Sequence, residues 1–418
     1  MIDAERAIRK SVECRCGKVH STGVTKVVFE KNVLEKAADM VSEVLAIGHI
    51  LFVSTNDTGA YLDIKHSLRR AGFKVSEMIY DAFVKASEKS AGMLIDILDR
   101  NESIRLIVGA GSGTVNDIVK YASSVKKIPN MFFITAPSTD SWLNSKVYLD
   151  DSDKMKEFDG TPPVHLIADI GNKCPKALVA AGFATLYSRL ISIFDYEYQC
   201  RVTGTAYCGF IIDGLKKDIR DFLAAPFNPS DSDDLRLLMI CLVNVSLKLS
   251  YISDNPPIKA ADLLTRLIRL HNHNCPSAPL IAALSLHKVY SSWLSGKPAD
   301  ILIPPDRSCY YELMNKYFGI DETAYLLNAI EYDNIMPKIA YTTNQIRKEL
   351  MAELKSIMAD SEEISGNIRR IFIDKGYHIS KVLDFKDLMK FISITGELSE
   401  GFPLIKYIEK TGVLSHYL

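Results

Sequence analysis

Several features that would narrow the function at once are missing. The charges balance: 50 Lys and Arg stand against 51 Asp and Glu, a net of −1. No global basic field exists to recruit nucleic acid or acidic lipid. The eight cysteines are scattered. They lack the density of a disulfide scaffold, which fits reduced thiols and a cytoplasmic protein. Met1 to Val12 mixes both charge signs without an apolar core, so it does not read as a signal peptide. The most apolar long segment, Leu235 to Ile252, carries Arg236, Asn244 and Lys248, and reads as a buried helix rather than a membrane span. There is no fixed-period repeat and no low-complexity tract. Neither a Walker pattern nor G-x-G-x-x-G occurs, and no Ser-His-Asp or Cys-His pairing follows from spacing alone.

What is present is ordinary in bulk. With 418 residues, 47% hydrophobic and 24% charged, the chain can build two or three globular domains. One stretch stands out, Ser103 to Tyr121. Ile104-Arg105-Leu106-Ile107-Val108 is a short apolar run and reads as a buried parallel strand. Gly109, Gly111 and Gly113 follow within five residues. Val115, Ile118, Val119 and Ala122 then mark one face of a helix. Strand, glycine turn and helix are the parts of a diphosphate cradle: glycines admit the anion, and free amides at the helix N-terminus face it. A tight turn with no ligand is the plainer alternative.

Around this stretch the pattern alternates. Helices are expected at Val33–Leu45, Leu62–Ala71 and Ser87–Asp99. Strands are expected at His49–Ser54, Phe73–Ile79, Asn130–Thr135 and Val164–Asp169. Such alternation implies a parallel sheet that binds ligands at its C-terminal strand ends. The polar loop Ala136 to Trp142 lies at that same edge. From about residue 172 the chain turns helical, beginning with a long apolar helix over Pro175–Gln199. The expected organisation is an α/β dinucleotide-binding domain at 1–171, an all-helical domain at 172–418, and an active-site cleft between them.

Individual residues carry weaker signals. Cys14-x-Cys16-Gly17-x-x-His20 looks like a metal site, but it offers three ligands and no second pair follows at zinc-finger spacing. A hairpin or turn is the expected reading. His271 and His273 are expected at a solvated helix C-terminus, where they complement the dipole. His287 reads as an interior or groove histidine, and Cys208 and Cys241 as core thiols. Asp195 follows an apolar helical run and reads as a helix-surface acid, with a buried acid as the alternative. Asp150 to Lys156 reads as an acidic loop carrying Lys154 and Lys156.

Taken together these motifs resemble the superfamily of glycerol dehydrogenase, iron-containing alcohol dehydrogenase and dehydroquinate synthase. The sn-glycerol-1-phosphate dehydrogenase branch, particularly the bacterial type, is the most similar. That branch starts with a Cys-x-Cys-Gly-x-x-His segment like Cys14 to His20. Its Gly-x-Gly-Ser-Gly-Thr-x-Asn-Asp-x-x-Lys-Tyr is matched from Gly109 to Tyr121. Its Thr-Ala-Pro-Ser-Met-Asp-Gly-Tyr is close to Thr135 to Trp142, and its Ala-Gly-Phe-Gly-Asp is partly matched by Ala181 to Thr185. The resemblance implies a dehydroquinate synthase-like fold with a Rossmann-like sheet. It implies NAD or NADP as cofactor, held by Thr55, Asn56, Gly111, Ser112, Gly113, Asn116, Asp117, Thr135 and Ser138. It implies catalytic roles for Asp140, which would contact substrate or nicotinamide, and for Lys156, near which the family places a lysine on the substrate phosphate.

Two departures qualify the match. The family's acid for the adenosine ribose is replaced by Thr55, which leaves NADP less disfavoured, with Lys65, Arg69 and Arg70 as possible partners for a 2′-phosphate. The family's Zn²⁺, Ni²⁺ or Fe²⁺ is held by an aspartate and two histidines, and here Thr185, Asp262 and Cys275 align with them. A hydroxyl is a weak ligand beside carboxylate or imidazole, so metal loss is the first expectation. Rescue by His271 or His273, or a changed set including Asp262 and Cys275, are the alternatives. The expected function is hydride transfer between a nicotinamide and a small polyol or ketone phosphate such as dihydroxyacetone phosphate. The alternatives are a non-redox lyase or synthase of the dehydroquinate synthase type, or a silent nucleotide-binding relative. A homo-oligomer, without nucleic acid or a membrane span, is the expected assembly.

Overall fold

The computed structural model describes residues 12–14, 16–17, 19–57, 60–151, 154–170, 174–252, 260–272, 275–296, 307–319, 322–357, 362–373, 383–398, 401–411 and 414. These divide into two compact units, one of residues 1–182 with 228–256 and one of 183–227 with 257–418.

The first unit is built on a six-stranded, all-parallel sheet. Its strands are β3 (Lys26–Glu30), β4 (His49–Thr55), β5 (Lys74–Tyr80), β6 (Ile104–Gly111), β7 (Asn130–Ile134) and β10 (His165–Asp169), in the order β3-β10-β7-β6-β4-β5. Alternate residues along each strand face opposite sides, and both sides are covered. On one side Leu51, Val53, Ile107, Phe132 and Leu166 pack against the helices Glu88–Arg100 and Gly113–Lys126. Met239, Val243 and Leu247 of the helix Ser232–Ile252 join the same cluster. On the other side Ile50, Phe52, Leu106, Val108 and Phe133 pack with Val41, Ile64 and Leu68 of the short helices Ala37–Ser42 and Ala60–Arg70. Burial on both sides explains why the central strands read as continuous apolar runs.

Two antiparallel hairpins complete the unit. β1 (Val12–Glu13) pairs with β2 (Val19–His20), the hairpin expected around the C-x-C-G segment. β8 (Lys146–Asp151) pairs with β9 (Lys154–Asp159). The second hairpin corrects the expected acidic loop. Along β8, Val147 and Leu149 are buried, so the period-two pattern of a half-covered ribbon runs beneath the charges. The stretch Thr25–Phe29 enters the main sheet as parallel edge strand β3.

The second unit is helical. The long helix Lys176–Thr203 leads into it, followed by Gly209–Leu223, Ala260–His271, Ala278–Ser295, Arg307–Phe318, Glu322–Ile357, Phe385–Leu398 and Leu404–Lys410. The longest of these, Glu322–Ile357, carries Pro337 in its interior. The helix Gly209–Leu223 was not anticipated. Its Ile211, Ile212, Leu215, Ile219 and Leu223 are buried at helical spacing. Lys176–Thr203 and Ser232–Ile252 are long and apolar enough to span a membrane by length and composition, yet 83% and 61% of their most apolar windows are buried. They behave as core helices of an α/β N-terminal region followed by a mostly helical remainder.

Candidate functional site

The site begins with strand order. β4 leads through Ala60–Arg70 to β5 on one side, whereas β6 leads through Gly113–Lys126 to β7 on the other. The chain therefore changes direction between β4 and β6, and the crevice beyond the carboxyl ends of those two strands is the place where such sheets bind ligands. Thr55 ends β4 and Gly111 ends β6.

The glycine turn is shaped for close backbone approach. Gly111 has φ +153°, and a Cβ there would stand 3.0 Å from Val115 Cγ2. Its carbonyl accepts a bond from the Thr135 amide at 3.2 Å, which ties the turn to the next strand end. Ser112 occupies the N-cap position in extended geometry, and its side chain makes no capping bond. Ser112, Gly113 and Thr114 are half-buried, so the first amides of the helix are neither plugged by a cap nor sealed in the core. The Gly113 amide lies 3.4 Å from Ser138 Oγ. That contact is a long bond in which the amide donates, and Ser112 adds no cap of its own; a helix N-terminus so lightly held suits an anion, so these residues fit a dinucleotide diphosphate.

The polar loop after β7 packs directly on this helix. Lys120 is fully buried, and its ammonium reaches Asp117 at 2.8 Å, the Ser141 carbonyl at 2.9 Å and the Asn144 carbonyl at 3.4 Å. Asn116 is also fully buried and donates from Nδ2 to the Trp142 carbonyl at 3.3 Å. Asn116 and Asp117 thus hold the loop. Within it Thr139 Oγ1 accepts from the Ser141 amide at 3.1 Å, and Asp140 is only 2% exposed. Thr135 is buried as well. The Cys174 thiol donates to the Thr135 carbonyl at 3.4 Å, and burial, with Asp169 nearby, pushes it up to about 11. Cys174 therefore stays protonated near neutrality and is no thiolate nucleophile.

The remaining residues of this unit are spoken for differently. The Asn56 amide bonds the Tyr80 carbonyl at 2.9 Å, and its side chain reaches Asp81 at 3.4 Å. Lys65 and Arg69 both pair with Glu77 of β5, at 2.7 and 2.5 Å. Lys156 lies on β9 and pairs with Glu88 at 2.9 Å, with 43% of its side chain exposed.

In the second unit, Thr185 and Arg189 lie one turn apart on Lys176–Thr203. The buried Arg189 guanidinium pairs with Asp262 at 3.3 Å. Cys275 is buried, with Sγ 3.4 Å from Ser277 Oγ. Among the described residues, no group of three His, Cys, Asp or Glu donors gathers around Thr185, Asp262 and Cys275. His273 lies outside the described residues, and His271 is exposed at its helix end, edge-on to Phe391. A carboxylate already bound to a guanidinium, a hydroxyl and one thiol do not fit the aspartate-and-two-histidine pattern.

Two readings of single residues change. Asp195 is buried, not on the helix surface. It accepts bonds from the Tyr290 hydroxyl at 2.9 Å and the Leu404 amide at 3.0 Å, and burial raises it to about 7. Its partners arrive from helices 95 and 209 residues further along, so the apolar run before it allowed burial but could not name what receives it. The Cys14 to His20 segment does more than turn, because the ligand atoms of Cys14, Cys16 and His20 lie within 4.8 Å of one another.

With this geometry in view, the comparisons define a class first. Residues 28–175 match the iron-containing alcohol dehydrogenase family. An iron-containing alcohol dehydrogenase from Thermotoga maritima superposes with a TM-score of 0.57 at 12% identity, over 94% of this chain and 98% of that one. A glycerol dehydrogenase from Schizosaccharomyces pombe gives 0.54 at 14% identity, over 94% and 89%. The fold is that of the iron-containing alcohol dehydrogenases, as the sequence motifs implied.

The branch is the more particular finding. A glycerol-1-phosphate dehydrogenase [NAD(P)+] from Bacillus velezensis is 28% identical over 145 residues, 34% of this chain and 36% of the relative. One from Bacillus subtilis is 25% identical over 213 residues, 49% of this chain and 52% of the relative. The matches span about a third to a half of these relatives' length. They bear out the resemblance to the glycerol-1-phosphate dehydrogenase branch.

Proposed function

We propose that the protein is an NAD(P)-dependent oxidoreductase acting on a small polyol phosphate or its ketone, of the dihydroxyacetone phosphate kind. The observation that carries this reading is the uncapped glycine turn at the direction change of a parallel sheet, inside the stretch that matches the iron-containing alcohol dehydrogenase family. Residues 1–171 serve as the dinucleotide-binding domain and 172–418 as the helical domain. The similarity to glycerol-1-phosphate dehydrogenases supports the substrate class.

The nicotinamide, when bound, supplies or accepts the hydride; the chain holds the partners in place. The amides of Ser112, Gly113 and Thr114 take the diphosphate oxygens. Thr55 and Asn56 flank the adenosine side at the end of β4. Thr135 and Ser138 line the nicotinamide side, and Asp140 orients the substrate by accepting from its hydroxyl. Lys120, Asn116 and Asp117 position that loop from behind. Because Thr185, Asp262 and Cys275 do not fit the usual ion, no step is routed through a metal there. A cation that faces the developing alkoxide must come from the side chains, and Lys156 is our assignment: it is half exposed, and its Glu88 pair is loose enough to exchange for a phosphate or an oxyanion.

Following NADH and NADPH absorbance with dihydroxyacetone phosphate, with and without added Zn²⁺ or Ni²⁺, tests this directly. Turnover in at least one combination is expected, and none in any combination rejects it. One observation favours a second reading, a nucleotide-binding relative without chemistry: Arg189 already pairs with Asp262, at a position where the family resemblance implies a metal ligand. Tight dinucleotide binding in calorimetry, with no turnover, would select it. Conversion of a sugar phosphate with no net change in the cofactor would select a dehydroquinate synthase-like lyase instead.

A further inference from the structure

We propose that Cys14, Cys16 and His20 form a structural Zn²⁺ site in the N-terminal hairpin, separate from any catalytic ion. Three independent features point there. First, the donors converge: their ligand atoms lie within 4.8 Å of one another, and Cys16 Sγ stands 3.2 Å from His20 Nε2. Tetrahedral zinc with thiolate and imidazole bonds places sulfur and nitrogen about 3.6 Å apart, so only a small adjustment is needed.

Second, the histidine is prepared as a ligand. His20 is buried, and its Nδ1 lies 2.8 Å from the Tyr251 carbonyl. A proton on Nδ1 donated to that carbonyl leaves the Nε2 lone pair facing Cys16. Metal-bound histidines are oriented by this same second contact. Third, the backbone gathers the thiols. Gly17 adopts φ +77°, and its amide returns to the Cys14 carbonyl at 2.9 Å. The turn holds Cys14 and Cys16 together at one end of the hairpin. Neither is in a disulfide.

The site also explains how this hairpin persists. Each strand has two residues, and a ribbon that short has no independent stability in water. A bound ion would cross-link its two arms. The His20 bond to Tyr251, with Thr22 Oγ1 3.2 Å from Ser250 Oγ, docks it on the helix Ser232–Ile252. Two thiolates and one imidazole select zinc over hard cations.

The test uses the full chain after gel filtration in chelator-free buffer. Metal analysis should find one zinc per chain, lost in Cys14→Ser and Cys16→Ser but kept in Cys275→Ser. Cobalt-substituted protein should show a thiolate charge-transfer band that Cys16→Ser abolishes, with at least two sulfur scatterers at the metal edge. Cys16 is exposed, so its variant should retain the wild-type circular dichroism. If the serine variants fail to fold, the wild type still decides: a strong zinc chelator should lower its melting temperature, and zinc should restore it. Zinc-free protein that takes up no zinc, or zinc lost in Cys275→Ser and kept in Cys16→Ser, overturns the proposal. Both outcomes are independent of turnover, so they stand apart from the proposed activity.

Discussion

The glycine turn of the first unit and the Thr185–Asp262–Cys275 positions of the second have followed different rules. The turn keeps the residue types that its geometry demands. Gly111 has no substitute at φ +153° beside Val115, and Ser112 leaves the helix amides uncapped. At the other positions the side chains pair with one another, because a guanidinium can satisfy a carboxylate. Arg189 does this for Asp262 from within the same helical unit. A backbone cradle is constrained by sterics at every residue. A side-chain pair is constrained only by what it meets, so charge and reach matter there more than backbone shape.

The predictions test this contrast, and the largest effect lies in the second unit. The Asp195 carboxyl stays protonated in the fold up to about pH 7, but it ionises near pH 4 once unfolded. Its folded value is raised, so stability is full below about pH 4 and falls as pH rises toward 7, by a few kcal/mol. Urea titrations across that range should show the fall, and Asp195→Asn should reduce it, leaving the part owed to Glu197, which burial also raises to about 7. A wild type equally stable at pH 4.5 and 7.5 would mean that Asp195 is not buried as described.

In the first unit, Gly182→Ala should be nearly as costly. Its Cβ would stand 1.9 Å from the Pro137 carbonyl oxygen, a backbone clash worth about 3 kcal/mol. Differential scanning calorimetry should show a lower melting temperature; no change would remove the close approach that we infer. Gly111→Val acts on the cradle itself. We expect NADH affinity by calorimetry to drop about 100-fold, equivalent to about 2.7 kcal/mol, while Arg189→Ala leaves it unaltered. Equal losses from the two substitutions would erase the distinction between the units.

Arg189→Ala should destabilise the second unit by only about 1 kcal/mol, since Asp262 is 37% exposed and water takes over part of the pairing. The smallest expected structural effect is that of Lys156→Gln. Its ion pair is exposed, so melting should hardly move, while KM for dihydroxyacetone phosphate rises about tenfold. An unchanged KM would discard Lys156 as a substrate contact.

What was legible follows from how local each feature is. The strand, glycine turn and helix from Ile104 to Lys126 write their geometry in adjacent residues. The apolar strands β4, β7 and β10 could be read because both faces of the sheet are covered. The β8–β9 hairpin was hidden by charges on its open face. Asp195 was hidden because a helix that is apolar on all sides gives no sign of which polar residue lies inside. Asn116 and Asp117 carried the family motif, yet only the fold shows Asn116 bonded to the Trp142 carbonyl and Asp117 paired with Lys120, which reaches the Ser141 carbonyl of the same loop.

The amino-acid order alone therefore determined the elements and the turn, since backbone sterics and alternating burial act over a few residues. Tertiary structure decided which charges meet: Arg189 with Asp262, Lys120 with two loop carbonyls, His20 with the Tyr251 carbonyl. Those pairings join residues 21 to 231 positions apart. Electrostatic partners are chosen by proximity in the folded chain, and no spacing rule in the sequence encodes that proximity.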